Sequence, residues 1–237
     1  MNQEKFALIT GAGRRFGFAL AERLLAQGYQ VFAHYNTSKA GVAELEQHGA
    51  IGIQADMSDL SAAATIIDTV KQHTDRLDLL VNNASCFFTN EVVDSSNDNL
   101  QAVFGVHAML PYLLCRDLAP LLRNSDNGLI VNITDIYTDS PSTDYVAYCA
   151  AKTALASLTQ GFAKTLAPAV RVNAIQPGPV LFLPEHDGAH KQKVLAETPL
   201  KLEGGLEPML KTVEFLRDNP FMTGEFIKVD GGRALLI

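Results

Sequence analysis

The chain has little sulfur and no concentration of positive charge, and both shortages narrow its chemistry. Its three cysteines, Cys86, Cys115 and Cys149, are odd in number, and none is paired at C-x-x-C spacing. That argues against a disulfide framework or a thiolate zinc site. No basic block interrupts a net charge of −7 at a pI near 5.3. A broad electropositive face for nucleic acid is therefore not expected, and only local positive charge remains to meet a small anionic ligand. No apolar stretch reads as long enough to span a membrane. The opening M-N-Q-E-K-F-A-L-I-T runs into strand-like sequence without a signal-peptide apolar region, so the expectation is a cytoplasmic protein with no membrane partner. Repeats, low-complexity tracts and interdomain linkers are missing too. What is present is 237 residues, 47% hydrophobic and 19% charged, enough for one α/β domain over residues 1–237 with a sizeable core.

Short apolar runs alternate with segments of helical spacing. F-A-L-I-T, Y-Q-V-F-A-H, I-G-I-Q, L-D-L-L-V, G-L-I-V-N-I-T, V-R-V-N-A-I and E-F-I-K-V-D read as seven strands. Helices are expected over about 16–27, 39–48, 60–74 and 99–123, and over a segment that carries Tyr148 to Leu166 and stops before Pro168. This alternation predicts a seven-stranded parallel sheet with helices on both faces. Residues 177–202, rich in Pro, Gly, His and charge, are long for a connection and read as a substrate lid.

T-G-A-G-R-R-F-G follows the first strand and opens the first helix. Backbone N–H groups there can face a pyrophosphate, and the helix dipole favours negative charge. Gly11 permits the turn and Gly17 close helix packing. The end of the second strand, His34, Tyr35, Asn36, Thr37 and Ser38, holds no carboxylate for a ribose 2′-hydroxyl. Arg14 and Arg15 inside the turn suit a 2′-phosphate, so NADPH is the expected cofactor. Asp56, after the third strand, is placed to accept from the adenine amino group, with Ser58 and Asp59 available as local helix caps.

In Y-C-A-A-K, Tyr148 and Lys152 stand at i and i+4, on one helix face. A neighbouring ammonium favours phenolate, so the spacing predicts a tyrosine whose pKa is lowered from about 10 and which can exchange a proton with a substrate. Asp135 lies thirteen residues before Tyr148. The pair alone is compatible with an incidental surface contact; the nucleotide turn upstream gives it weight.

Together T-G-A-G-R-R-F-G, N-N-A at 82–84, Y-C-A-A-K, Q-P-G-P at 176–179 and F-M-T-G-E-F-I-K-V-D-G-G resemble the short-chain dehydrogenase/reductase family over almost the whole chain. The resemblance implies a single-domain Rossmann fold. It places further cofactor contacts at Phe16, Met57, Asn83, Ala84, Ser85, Tyr148, Lys152, Pro177 and Gly178. Three departures narrow it. Arg15 occupies the usual middle glycine, Asp135 the usual catalytic serine, and Ser85-Cys86-Phe87 follows N-N-A. His107 stands where the family has a helix asparagine. These features, with V-H-A-M-L-P-Y-L-L and F-L-P-E-H-D, are similar to the pteridine and dihydromonapterin reductase branch. In that light Asp135, Tyr148 and Lys152 are the catalytic residues, Ser85, Phe87, Asp135 and Tyr148 meet a pterin, and Phe87 stacks on its flat ring. A pterin takes its proton on a ring nitrogen, which suits Asp135 better than a simple ketone does. The expected activity is NADPH-dependent reduction of dihydropterins, with dihydrofolate as a secondary substrate. A carbonyl reductase and a non-catalytic NADPH-binding sensor are the alternatives. The family also implies a homo-oligomer, a tetramer. His186 and His190 have helical metal-ligand spacing, but Pro184 and Gly188 disfavour the helix it requires, so no metal is expected. Cys149 reads as a packing residue, for lack of a base partner.

Overall fold

The strands are β1 (Lys5–Ile9), β2 (Tyr29–Tyr35), β3 (Ile51–Gln54), β4 (Leu79–Asn82), β5 (Gly128–Ile133), β6 (Val170–Pro177) and β7 (Phe226–Val229). In the computed structural model, which describes residues 3–182 and 187–237, they pair in parallel in the order β3-β2-β1-β4-β5-β6-β7. Helices α1 (Arg15–Ala26), α2 (Lys39–Gln47), α3 (Ala62–His73), α4 (Asn90–Asp94), α5 (Asn97–Phe104), α6 (Leu110–Arg123), α7 (Val146–Leu166), α8 (Gly188–Ala196) and α9 (Glu207–Asp218) connect them.

The strands are apolar throughout because both faces are covered. Ala7, Ile9, Leu79, Val81, Leu129 and Val131 point to one core, with Leu20 and Leu24 of α1, Leu45 of α2 and Val213 of α9. The residues between them, Leu8, Leu80 and Ile130, enter the opposite core with Ile66, Leu114, Leu118 and Leu166. That is the two-residue period of a strand serving two layers. The chain builds β1, β2 and β3 outward and then returns to place β4 on the other side of β1. A crevice opens at such a reversal, beyond the carboxyl ends of the strands.

Several elements differ from the expectations, the short α4 among them. The 99–123 helix is α5 and α6 joined by a π-helical turn, Gly105–Met109. Gly105 approaches the Met57 carbonyl so closely that a Cβ would lie 3.2 Å from it, and the extra residue in the turn carries His107 inward. Contrary to the expectation from sequence, Asn97–Arg123 is by length and composition long and apolar enough to cross a membrane, but 56% of its most apolar window is buried, and its Leu110, Leu114, Leu118 and Leu122 pack in the core. Helix α9 was not anticipated. The segment 177–202 contains α8, while residues 183–186 lie outside the described residues, and with them most of F-L-P-E-H-D and His186.

Candidate active site

The first turn is built by bonds between strand ends. Gly11 has φ +69°, and a Cβ there would lie 2.9 Å from the Ala84 Cα beyond β4. Thr10 Oγ1 accepts from the N–H groups of Asn83 at 2.9 Å and Ala84 at 3.0 Å. The Asn83 amide donates to the Thr10 carbonyl at 2.8 Å and to that of Gly11 at 3.1 Å. Gly17 sits so near the turn that a Cβ would come within 2.2 Å of the Gly11 carbonyl oxygen. Gly13 packs equally tightly on Ser38, its nearest neighbour 2.6 Å from a built Cβ. Helix α1 begins after Arg14 without a side-chain cap, so its first N–H groups are left for another acceptor.

His34 is buried under this turn. Its Nδ1 accepts from Gly11 N–H at 3.1 Å and its Nε2–H donates to the Ala55 carbonyl at 3.0 Å. Burial lowers its pKa. Both ring nitrogens are used inside the protein, so the His34 side chain supports the turn. Tyr35 is half-buried and Asn36 exposed beyond it. Arg14 is exposed. Arg15, at φ 53°, donates to the carbonyls of Leu181 at 2.5 Å and Phe182 at 3.3 Å, which ties the turn to the 177–202 segment. Exposed Asp56 accepts from Ser58 N–H at 2.9 Å, and Met57 beside it is buried. Phe16 packs in the core under the turn. Gly178 follows Pro177 with its N–H bonded to the Val229 carbonyl at 3.0 Å, and a Cβ there would lie 2.7 Å from Asp230.

Asp135, Tyr148 and Lys152 meet between β5 and α7. Asp135 leaves the strand and caps a short 3-10 turn, its Oδ1 accepting from Tyr137 N–H at 2.9 Å. Its Oδ2 accepts from the Tyr148 hydroxyl at 2.7 Å. Lys152 Nζ donates to the Ile133 carbonyl at 2.7 Å and lies 5.7 Å from the Tyr148 ring centroid. The electrostatics reverse the expected shift. Burial, and then the Asp135 carboxylate, push the Tyr148 pKa well above 10, because the ammonium faces a backbone carbonyl instead of the hydroxyl. Burial raises the Asp135 pKa as well and lowers that of Lys152 to about 8.

An aromatic wall stands over this group. Phe87, 40% exposed, stacks on Tyr145 with centroids 4.3 Å apart and meets Tyr148 edge-on at 4.8 Å. Tyr145 was missed from the sequence, although its place one helical turn before Tyr148 was a usable signal. So was Gln176, whose amide donates to Thr138 Oγ1 at 2.5 Å and to the Asp135 carbonyl at 3.3 Å, steadying the Asp135 turn. Exposed Ser85 bonds to His107 at 2.9 Å. Burial pushes the Cys86 thiol up to about 11 and the Cys115 thiol up to about 12, and raises Cys149, so none is a ready thiolate. Among the described residues no group of side chains could hold a metal ion.

The short chain dehydrogenase family pattern matches residues 5–188. The dihydromonapterin reductase of Klebsiella pneumoniae is 35% identical over 235 residues, 98% of each chain. That of Escherichia coli is 35% identical over 230 residues, 96% of each. Among solved structures, FolM alternative dihydrofolate reductase 1 from Brucella canis, complexed with NADP, superposes with a TM-score of 0.87 at 31% identity, covering 98% of this chain and 94% of that one.

Proposed function

The chain belongs to the short-chain dehydrogenase family, and from that membership we propose that it is an NADPH-dependent reductase of dihydropterins, acting on dihydromonapterin with dihydrofolate as a secondary substrate. The observation that carries this reading is the hydrogen bond from Tyr148 to Asp135 beneath the Phe87 and Tyr145 rings. A carboxylate in that place suits a substrate with N–H groups and a protonating ring nitrogen. A flat aromatic wall suits a flat heterocycle. The relatives named above act on this class of substrate by name.

The residues present fit a dinucleotide. Close-approach glycines leave a backbone cradle, the first helix has an uncapped amino end, and no carboxylate occupies 34–38, where a 2′-phosphate would lie. Arg14, exposed beside the turn, would meet that phosphate, and Arg15 would join it once released from Leu181 and Phe182. When bound, the dinucleotide would supply the hydride through its nicotinamide. Tyr148 holds a proton for the ring nitrogen, and the Asp135 carboxylate, which accepts from the hydroxyl, keeps the phenol aligned and can relay a replacement proton to it from water. Lys152 would hold the nicotinamide ribose. Phe87 orients the ring and limits water. The segment 177–202 serves as a lid, anchored where described by Arg15 and by Glu203, which accepts from Phe182 N–H at 2.6 Å. An apolar face of Leu60, Met109, Tyr112 and Leu158 supports self-association, as a tetramer by family resemblance, and the cytoplasm is the proposed location.

Asp135→Ser and Phe87→Ala test the reading. The serine restores the residue usual in the family yet should reduce turnover of a dihydropterin. The alanine should raise its KM through a lost stacking contribution of about 0.5–1.5 kcal/mol. Unchanged dihydropterin reduction in Asp135→Ser would remove Asp135 from the argument, and a wild type that prefers ketones would transfer the assignment to a carbonyl reductase.

A further inference from the structure

Beside Tyr148, His107 and Ser85 form a bonded chain that the chemistry above leaves unused. His107 lies on the π turn with 1% of its surface exposed. Its Nδ1 is 2.9 Å from the Val103 carbonyl oxygen. A carbonyl offers only lone pairs, so Nδ1 carries the ring hydrogen. Burial, and then the charge of Lys152, hold the imidazole pKa well below 6.5, so Nε2 has no hydrogen at neutral pH. Ser85 Oγ, 2.9 Å away, is therefore the donor. The ring is held edge to face against Tyr148, centroids 5.2 Å apart.

Ser85 is exposed between Ala84, which abuts Gly11, and the Phe87 wall. Its only side-chain proton is spent inward, and its outward side presents lone pairs. We infer that His107 is a positioning residue that keeps the Ser85 oxygen an acceptor toward the site, so that a ring edge bound there is selected for N–H over C=O. The inference rests on the dihydropterin reading, since a pterin carries an amino group on such an edge. His34 is an internal contrast: its Nδ1 accepts from Gly11, so its hydrogen lies on Nε2.

Two measurements test this. Nitrogen NMR of the histidine-labelled full chain should show His107 neutral with its hydrogen on Nδ1 and His34 neutral with the opposite tautomer, His107 being assigned by its loss in His107→Gln. Kinetics should compare a dihydropterin with the matching dihydrolumazine, in which a carbonyl replaces the 2-amino group. The wild type is expected to favour the amino ring about tenfold in kcat/KM, mostly through KM, as one hydrogen bond gained or lost implies. His107→Leu and Ser85→Ala should each bring that ratio near one. His107→Gln, whose amide oxygen can accept from Ser85, should recover it. A full ratio in His107→Leu, or a hydrogen on Nε2 of His107, overturns the inference. If His107→Leu does not fold, Ser85→Ala and the tautomer decide. If the wild type reduces neither ring, the dihydropterin reading has failed, and the tautomer still decides the polarity of the His107–Ser85 bond.

Discussion

A phenol buried against a carboxylate holds its proton firmly. Tyr148 donates to Asp135 at 2.7 Å with a pKa well above its ordinary value, so it enters the reaction as an acid. Tyr148→Phe should lower turnover about 10²–10⁴-fold, the usual contribution of such a group, with nucleotide affinity nearly unchanged. Stopped-flow reduction and a fluorescence titration read the two separately, and near-normal turnover would move the proton source to Asp135 and water. Lys152 carries a testable stability signature. Its folded pKa is about 8 against 10.5 for the free side chain. Between those values the unfolded chain binds more protons, so this residue's contribution to stability rises with pH over about 8–10.5 and is flat below it. Urea melts of wild type and Lys152→Met across that window should converge or cross accordingly; parallel curves would contradict the buried charge. The spacing of Asp135, Tyr148 and Lys152 was legible in the chain. The sign of the tyrosine shift was not, because nothing in Y-x-x-x-K says that the ammonium turns to the Ile133 carbonyl.

At the scale of elements, the site depends on how closely β1, α1 and β4 approach. Gly17→Ala would put a Cβ 2.2 Å from a backbone oxygen, so helix α1 must move off the turn. We expect a protein less stable by more than the roughly 1 kcal/mol that alanine normally gains in a helix, with nucleotide binding lost first. Isothermal titration beside a thermal melt checks it, and unimpaired binding would mean that the turn does not form the cradle. The strand-turn-helix order was readable from T-G-A-G-R-R-F-G and the flanking apolar runs. The π turn was not, since a π-helical turn has no simple period. Helix α9 had a usable pattern in Met209, Leu210, Val213 and Leu216, all buried, but E-P-M-L-K-T-V-E-F-L-R-D is interrupted by charges, of which Glu207 and Glu214 reach outward to Arg23.

For the whole molecule, the reversal of strand order between β1 and β4 gathers residues far apart in sequence. Gly11, Ser85, Asp135 and Tyr148 all follow or face the carboxyl ends of adjacent strands, which is why motifs scattered over the chain make one site. The two arginines divide once the fold is considered: Arg15 is joined to Leu181 and Phe182, a contact between distant segments that residue types alone do not reveal. The proposed reaction is tested most directly by the rate of NADPH oxidation by the wild-type protein, compared across dihydromonapterin, dihydrobiopterin, dihydrofolate and a panel of simple ketones and 3-oxoacyl thioesters. The expected result is that dihydropterins give the highest kcat/KM, with dihydromonapterin first and ketones near background. A ketone or thioester turned over faster than every dihydropterin would contradict it.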